Sequence, residues 1–170
     1  MCTAGATPRP QLKFVPRPET AERCRVVFVC IGNSCRSQMA EGWLRHLARE
    51  QGGAMEMEGL SAGLHPRGYI TLETSQVMEE KKVSLDGQQS KGLEAIDWRQ
   101  ADVLVNMTGL PGRSVVPGFQ GRRIEWRVAD PFGQPLRSYR KVRDRLERKV
   151  KKLLAELQST SSGPAAPPVA

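Results

Sequence analysis

At 170 residues, 39% of them hydrophobic, the chain is long enough to bury the core of one domain and too apolar for wholesale disorder. Its formal net charge is +8, yet no stretch approaches membrane-spanning length: the longest useful apolar run is Val26 to Ile31, and the first twenty residues lack the hydrophobic centre of a secretory signal. Cys2, Cys24, Cys30 and Cys35 all fall at the start of the chain with no Cys or His cluster downstream, which argues against a disulfide framework or a zinc site and predicts a cytoplasmic protein with reduced thiols, no metal and no cofactor.

Residues 1–23 read as a disordered extension, interrupted by Pro8, Pro10, Pro16 and Pro18. A single domain over 24–158 follows, and Cys24 at its start has a structural reading. Val26 to Val29 form a buried parallel strand that runs into Cys30 and a loop containing Gly32 and Asn33. A helix follows from Ser37, its cap, to about Glu50, with Met39, Trp43, Leu44 and Leu47 turned inward, His46 outward and Gly52-Gly53 at its end. Residues 55–63 alternate Met with Glu, the pattern of an edge strand. His65 falls in the loop that follows. Tyr69 to Lys82 is predicted to be a second helix with Leu72, Gln76, Val77 and Glu80 on successive turns, and Gly87 to Gln100 to hold a short one. Val103 to Val105 reads as a third strand and Arg123 to Val128 as a weaker fourth.

The last helix, Ser138 to Gln158, gathers Val142, Leu146, Val150 or Leu153, and Leu157 on one face and leaves most of its many basic residues to solvent. No aromatic residues interleave those charges, which disfavours nucleic-acid binding. Residues 159–170 are a low-complexity tail. The alternation of strand and helix predicts an α/β fold of three layers, a four-stranded parallel sheet with helices on both faces, and places ligands at the C-terminal ends of the strands, where Cys30 falls.

The chemistry concentrates in Cys30 to Ser37. A short loop entering a helix points unpaired backbone N–H groups and the positive end of the helix dipole at one spot, a seat for a tetrahedral oxyanion made by Ile31, Gly32, Asn33, Ser34, Cys35 and Arg36. The same field favours an anionic sulfur at Cys30. Arg36 can hold two oxygens bidentately. Cys35 has two open readings: a reversible disulfide with Cys30, or a residue that contributes only its backbone N–H.

Cys30-IGNSC-Arg36-Ser37 is a Cys-x5-Arg-Ser loop, and VCIGNSCRSQMAE resembles the phosphate loop of the low-molecular-weight protein tyrosine phosphatases and of the arsenate reductases that share their fold. Ser61-Ala62-Gly63 and Asp130-Pro131 match, in order, two further motifs of that family, and the resemblance covers Arg25 to Gln158. It implies Cys30 as nucleophile, Arg36 as charge clamp, Asp130 as general acid, and Ser37 and Ser61 as supports bonded by the Asn33 amide. The activity it implies is hydrolysis of a phosphorylated protein or small phosphomonoester through a cysteinyl-phosphate. The alternative is reduction of arsenate with an external thiol reductant, and a lesser one a non-enzymatic anion- or nucleic-acid-binding protein. The chain departs from the family at several points. It has no histidine near Gly87 and Gln88, and Lys91 stands near the place of an acidic potassium ligand. No cysteine follows Cys35 to serve an internal relay, with Thr108 near where the first would fall. LHPRG and Phe132 make an incomplete aromatic wall.

Overall fold

The computed structural model describes residues 23–52 and 55–161; the proline-rich segment, Cys2, Gly53 and the end of the tail lie outside the described residues. Strand β1, Arg23–Cys30, is central because its apolar run has two faces to bury. Val26, Phe28 and Cys30 enter one core, and Val27 and Val29 the other. It pairs in parallel with β2, Glu56–Gly63, on one side and with β3, Val103–Asn106, on the other; β4, Arg122–Glu125, pairs in parallel with β3. The sheet order β2-β1-β3-β4 puts the Met/Glu strand at an edge, as its alternation predicts.

One face of this four-stranded parallel sheet carries helices α1, Arg36–Gln51, α2, Leu72–Glu79, and α4, the long C-terminal helix Leu136–Ser161. Met39, Trp43 and Leu44 of α1 share that core with Leu146, Val150, Leu153 and Leu154 of α4, so Val150 and Leu153 both face inward. The other face is covered by a single-turn helix, α3, Gly112–Val115, and by short 3₁₀ turns at Leu93–Ala95 and Trp98–Gln100. Val115, Val116 and Phe119 there pack on Val27, Val29 and Leu104.

Several predicted boundaries shift, each for a local reason. The second helix starts at Leu72, because Thr71 caps it by accepting a hydrogen bond from Thr74 N; Leu72 is 85% exposed and is no part of an inner face. The helix predicted within Gly87 to Gln100 is instead the pair of 3₁₀ turns, each closed by i→i+3 bonds. The fourth strand ends at Glu125, with Trp126 and Val128 buried beyond it, and α3 was not foreseen. His46 is half-buried, edge-on to Trp43 and 3.3 Å from Glu50. Gly52 ends α1 with φ 56°, the left-handed conformation that suits glycine. No described helix is long and apolar enough to cross a membrane.

Candidate active site

Cys30 ends β1, and the loop of residues 31–35 carries the chain into α1. Its shape is held from outside by the segment after β2, whose backbone N–H groups bond the loop's carbonyls in turn: Leu64 N to Cys30 O at 3.1 Å, His65 N to Ile31 O at 2.8 Å, Arg67 N to Gly32 O at 3.1 Å and Thr71 N to Ser34 O at 3.3 Å. With carbonyls committed outward, the N–H groups of Gly32, Ser34 and Cys35 bond nothing among the described residues and are left for an anion. Gly63 allows the close approach: a Cβ there would lie 2.9 Å from Asn33 N and Ile31 O.

The Cys30 sulfur is 3.0 Å from Ser37 Oγ and accepts from Asn33 N at 3.3 Å. Ser37 lies in the first turn of α1, which begins one residue earlier than predicted. Its hydroxyl serves the sulfur rather than capping the helix, whose N-terminus has no side-chain cap. Asn33 has φ 45°, and its side-chain amide donates to Ser37 Oγ at 2.8 Å and to Ser61 Oγ at 3.0 Å. Its Oδ1 accepts from Lys91 N and Gln38 Nε2, and Ser61 Oγ donates to Glu41 Oε2 at 2.5 Å. Burial pushes the Glu41 carboxyl above its ordinary range, partly opposed by the Ser61 hydrogen bond. Gln88 is buried and its amide donates to Gln38 Oε1 at 2.7 Å. Gln38, Glu41 and Gln88 thus belong to the network; the first two lie within VCIGNSCRSQMAE, but their part in it was not read from the sequence, and Gln88 lies outside any motif.

Arg36 is buried, and its Nη1 donates to Met107 O at 2.9 Å and Val128 O at 3.3 Å. Its Nη2 meets Asp130 Oδ2 at 2.6 Å, while its Nε has no partner. Folding therefore brings the late Asp-Pro motif to the loop. The guanidinium expected to hold an oxyanion is clamped by Asp130 in this state, with one buried N–H to spare. Ser34 Oγ is likewise buried and unpartnered.

Sequence reading missed Arg67, in the LHPRG segment: its guanidinium lies 3.5 Å over the Phe132 ring, and the two side chains roof Cys30, leaving a hollow of about 20 Å³. The proline and glycine beside it showed only a loop. His65 is exposed and touches the loop through its backbone. Ile31 and Gly32 line the hollow with Cys35 and Arg36.

The Cys35 sulfur lies 3.6 Å from Thr71 Oγ1 and 4.0 Å from Tyr139 OH, and burial pushes its thiol above the ordinary range, against the hydrogen bonds from Thr74, Thr71 and Tyr139. Cys24, at the far end of β1, is pushed up to about 11 by burial and by Asp102. Cys24, Cys30 and Cys35 are all free thiols.

Known proteins resemble this chain in sequence and fold. The chain is 34% identical over 140 residues to a glutaredoxin arsenate reductase of Synechocystis sp., spanning 78% of this chain and 98% of that protein. Among solved structures, an arsenate reductase in the phosphate-binding state superposes with a TM-score of 0.68 at 30% identity, covering 78% of this chain and 98% of the other. A low molecular weight protein tyrosine phosphatase from T. tengcongensis gives 0.62 at 27% identity, covering 78% of this chain and 99% of the other. The sequence profile of the low molecular weight phosphotyrosine protein phosphatases matches residues 25–162, and the chain belongs to that family.

Proposed function

We propose that the protein hydrolyses phosphomonoesters through a cysteinyl-phosphate on Cys30. The observation that carries this reading is the pairing of two half-sites: a sulfur met by Asn33 N and Ser37 Oγ inside a loop with unpaired N–H groups, and Asp130 held against Arg36 at the same hollow. Cys30 attacks phosphorus in line; the S–P bond forms as the bond to the leaving oxygen breaks. The loop amides and the Nε–Nη2 edge of Arg36 take the equatorial oxygens once Asp130 releases that edge. Asp130, having taken a proton from solvent on leaving Arg36, gives it to the leaving oxygen and, in the second half, removes one from the water that cleaves the S–P bond. Ser37 and Ser61 support the nucleophile through Asn33.

A second reading, arsenate reduction with an external thiol, is favoured by the arsenate reductases among the relatives and by the incomplete aromatic wall, where Arg67 stacks on Phe132. That chemistry needs a further thiol to take the adduct apart. Among the described residues Cys24 and Cys35 are buried and burial pushes both thiols upward, which counts against an internal thiol relay and leaves an external thiol as the reductant in this second reading. Hydrolysis needs only water. The test is a paired assay: hydrolysis of p-nitrophenyl phosphate against arsenate-dependent oxidation of glutathione or glutaredoxin. Hydrolysis lost in Cys30→Ser, with the alkaline limb of the kcat/KM pH profile flattened in Asp130→Asn, is expected. Activity in the arsenate arm alone replaces the first reading with the second.

A further inference from the structure

Beyond Arg36 from the nucleophile lies a second, larger hollow of about 900 Å³, between the segment that follows β3 and the segment that follows β4. Arg36 is its shared wall, since the carbonyls that receive Nη1, those of Met107 and Val128, belong to residues lining this hollow. Its floor includes Met107, Leu110, which is 51% exposed, and Trp126. Around it stand Arg113, Arg123, Arg127 and Arg145. Arg123 donates one bond to Val116 O, and its Nε is buried without a partner. The guanidinium groups of Arg113, Arg127 and Arg145 are exposed and make no ion pair among the described residues. The lining includes one acid, Glu125, whose carboxylate already receives Asn106 Nδ2 at 2.7 Å and Gly112 N at 3.0 Å.

We infer that this hollow is a docking site for acidic residues flanking the phosphoryl group of a polypeptide substrate, an inference that rests on the phosphatase reading. Four guanidinium groups against one engaged carboxylate leave an excess of positive charge that an acidic segment complements, and Leu110 with the neighbouring apolar floor suits side-chain stems rather than a bare ion. The chain's own ends do not supply the occupant: residues 1–22 hold Arg9, Lys13 and Arg17 against Glu19 and Glu22, and residues 162–170 carry no charged side chain. A nucleic acid would seek exposed aromatic faces, and the one aromatic in the lining, Trp126, is 8% exposed.

The experiment measures fluorescence anisotropy of labelled phosphotyrosine peptides flanked by glutamates or by glutamines, bound to the full chain carrying Cys30→Ser so that nothing turns over. The acidic peptide is expected to bind about tenfold tighter at low salt, an advantage that shrinks as salt rises. Combining Arg113→Gln, Arg127→Gln and Arg145→Gln is expected to erase that advantage. In the otherwise native chain the same triple change should leave kcat/KM on p-nitrophenyl phosphate within about twofold, since these side chains are exposed and outside the cradle. Equal affinities for the two peptides, or a preference that survives the triple change, overturns the inference. A preference present in a protein that hydrolyses neither peptide keeps the docking site and removes the phosphatase reading instead.

Discussion

Asn33 is held in a left-handed conformation while its side chain bonds Ser37, Ser61, Lys91 N and Gln38. Alanine there would strain the backbone and leave buried donors unpaired, so Asn33→Ala is expected to cost about 2–3 kcal/mol in urea unfolding and to lower kcat/KM at least tenfold. An unchanged rate would separate the network from the chemistry. Glu41 tests the same cluster through pH. Its folded value lies above the ordinary 4.5, so the folded chain holds more proton than the unfolded chain from about pH 4.5 upward, and stability falls as pH rises through that window. Glu41→Gln, whose carbonyl can still accept from Ser61, is therefore expected to be more stable than the parent at pH 8 and to lose that advantage at pH 4. Parallel pH–stability curves would contradict this. At this scale the Cys-x5-Arg-Ser spacing placed Cys30 and Arg36 at the two ends of one short loop, because a loop between strand and helix is a local object. Nothing local told that Gln38 meets Gln88, fifty residues on.

Between elements, α2 is tied to α4 where Glu80, just past the end of α2, receives Arg140 and Arg143, with Arg143 also donating to Val77 O. The Arg140 hydrogen bond, joined by that of Arg143 and by the charges of both, holds the Glu80 carboxyl down to about 2 against the cost of desolvation. A carboxyl lowered on folding contributes stability that is present above about pH 4.5 and lost as pH falls toward 2. Glu80→Gln is therefore expected to lower Tm at pH 7 and to lower it less at pH 3; an equal loss at both would point to packing rather than charge. The helical periodicity of α4 was legible because its apolar residues recur over many turns. The start of α2 was not, because Tyr69 and Leu72 keep the helical spacing of a buried stripe while Thr71 both caps α2 and bonds Ser34 O, fixing residues 64–71 alongside the phosphate loop.

For the whole molecule, burial rather than apolar character decides what a side chain contributes. Leu146 of α4 is fully buried in the core that α4 shares with α1, and Leu146→Ala is expected to cost about 2–5 kcal/mol; Leu72, equally apolar, is 85% exposed, and Leu72→Ala should stay within about 0.5 kcal/mol. Denaturant midpoints for the two variants check this, and a comparable loss at both would overturn it. From its residues alone the chain determined a parallel sheet built on Val26 to Cys30, the strand-to-helix loop of Cys30 to Arg36 and the family, since each depends on short-range spacing and on which residues shun water. Tertiary structure decided what Arg36 holds, because Asp130 reaches it from 94 positions away; it also set Arg67 over Phe132, turned Cys35 into the core and collected four arginines around one hollow. Those choices depend on distances between segments that only the packed sheet and helices fix.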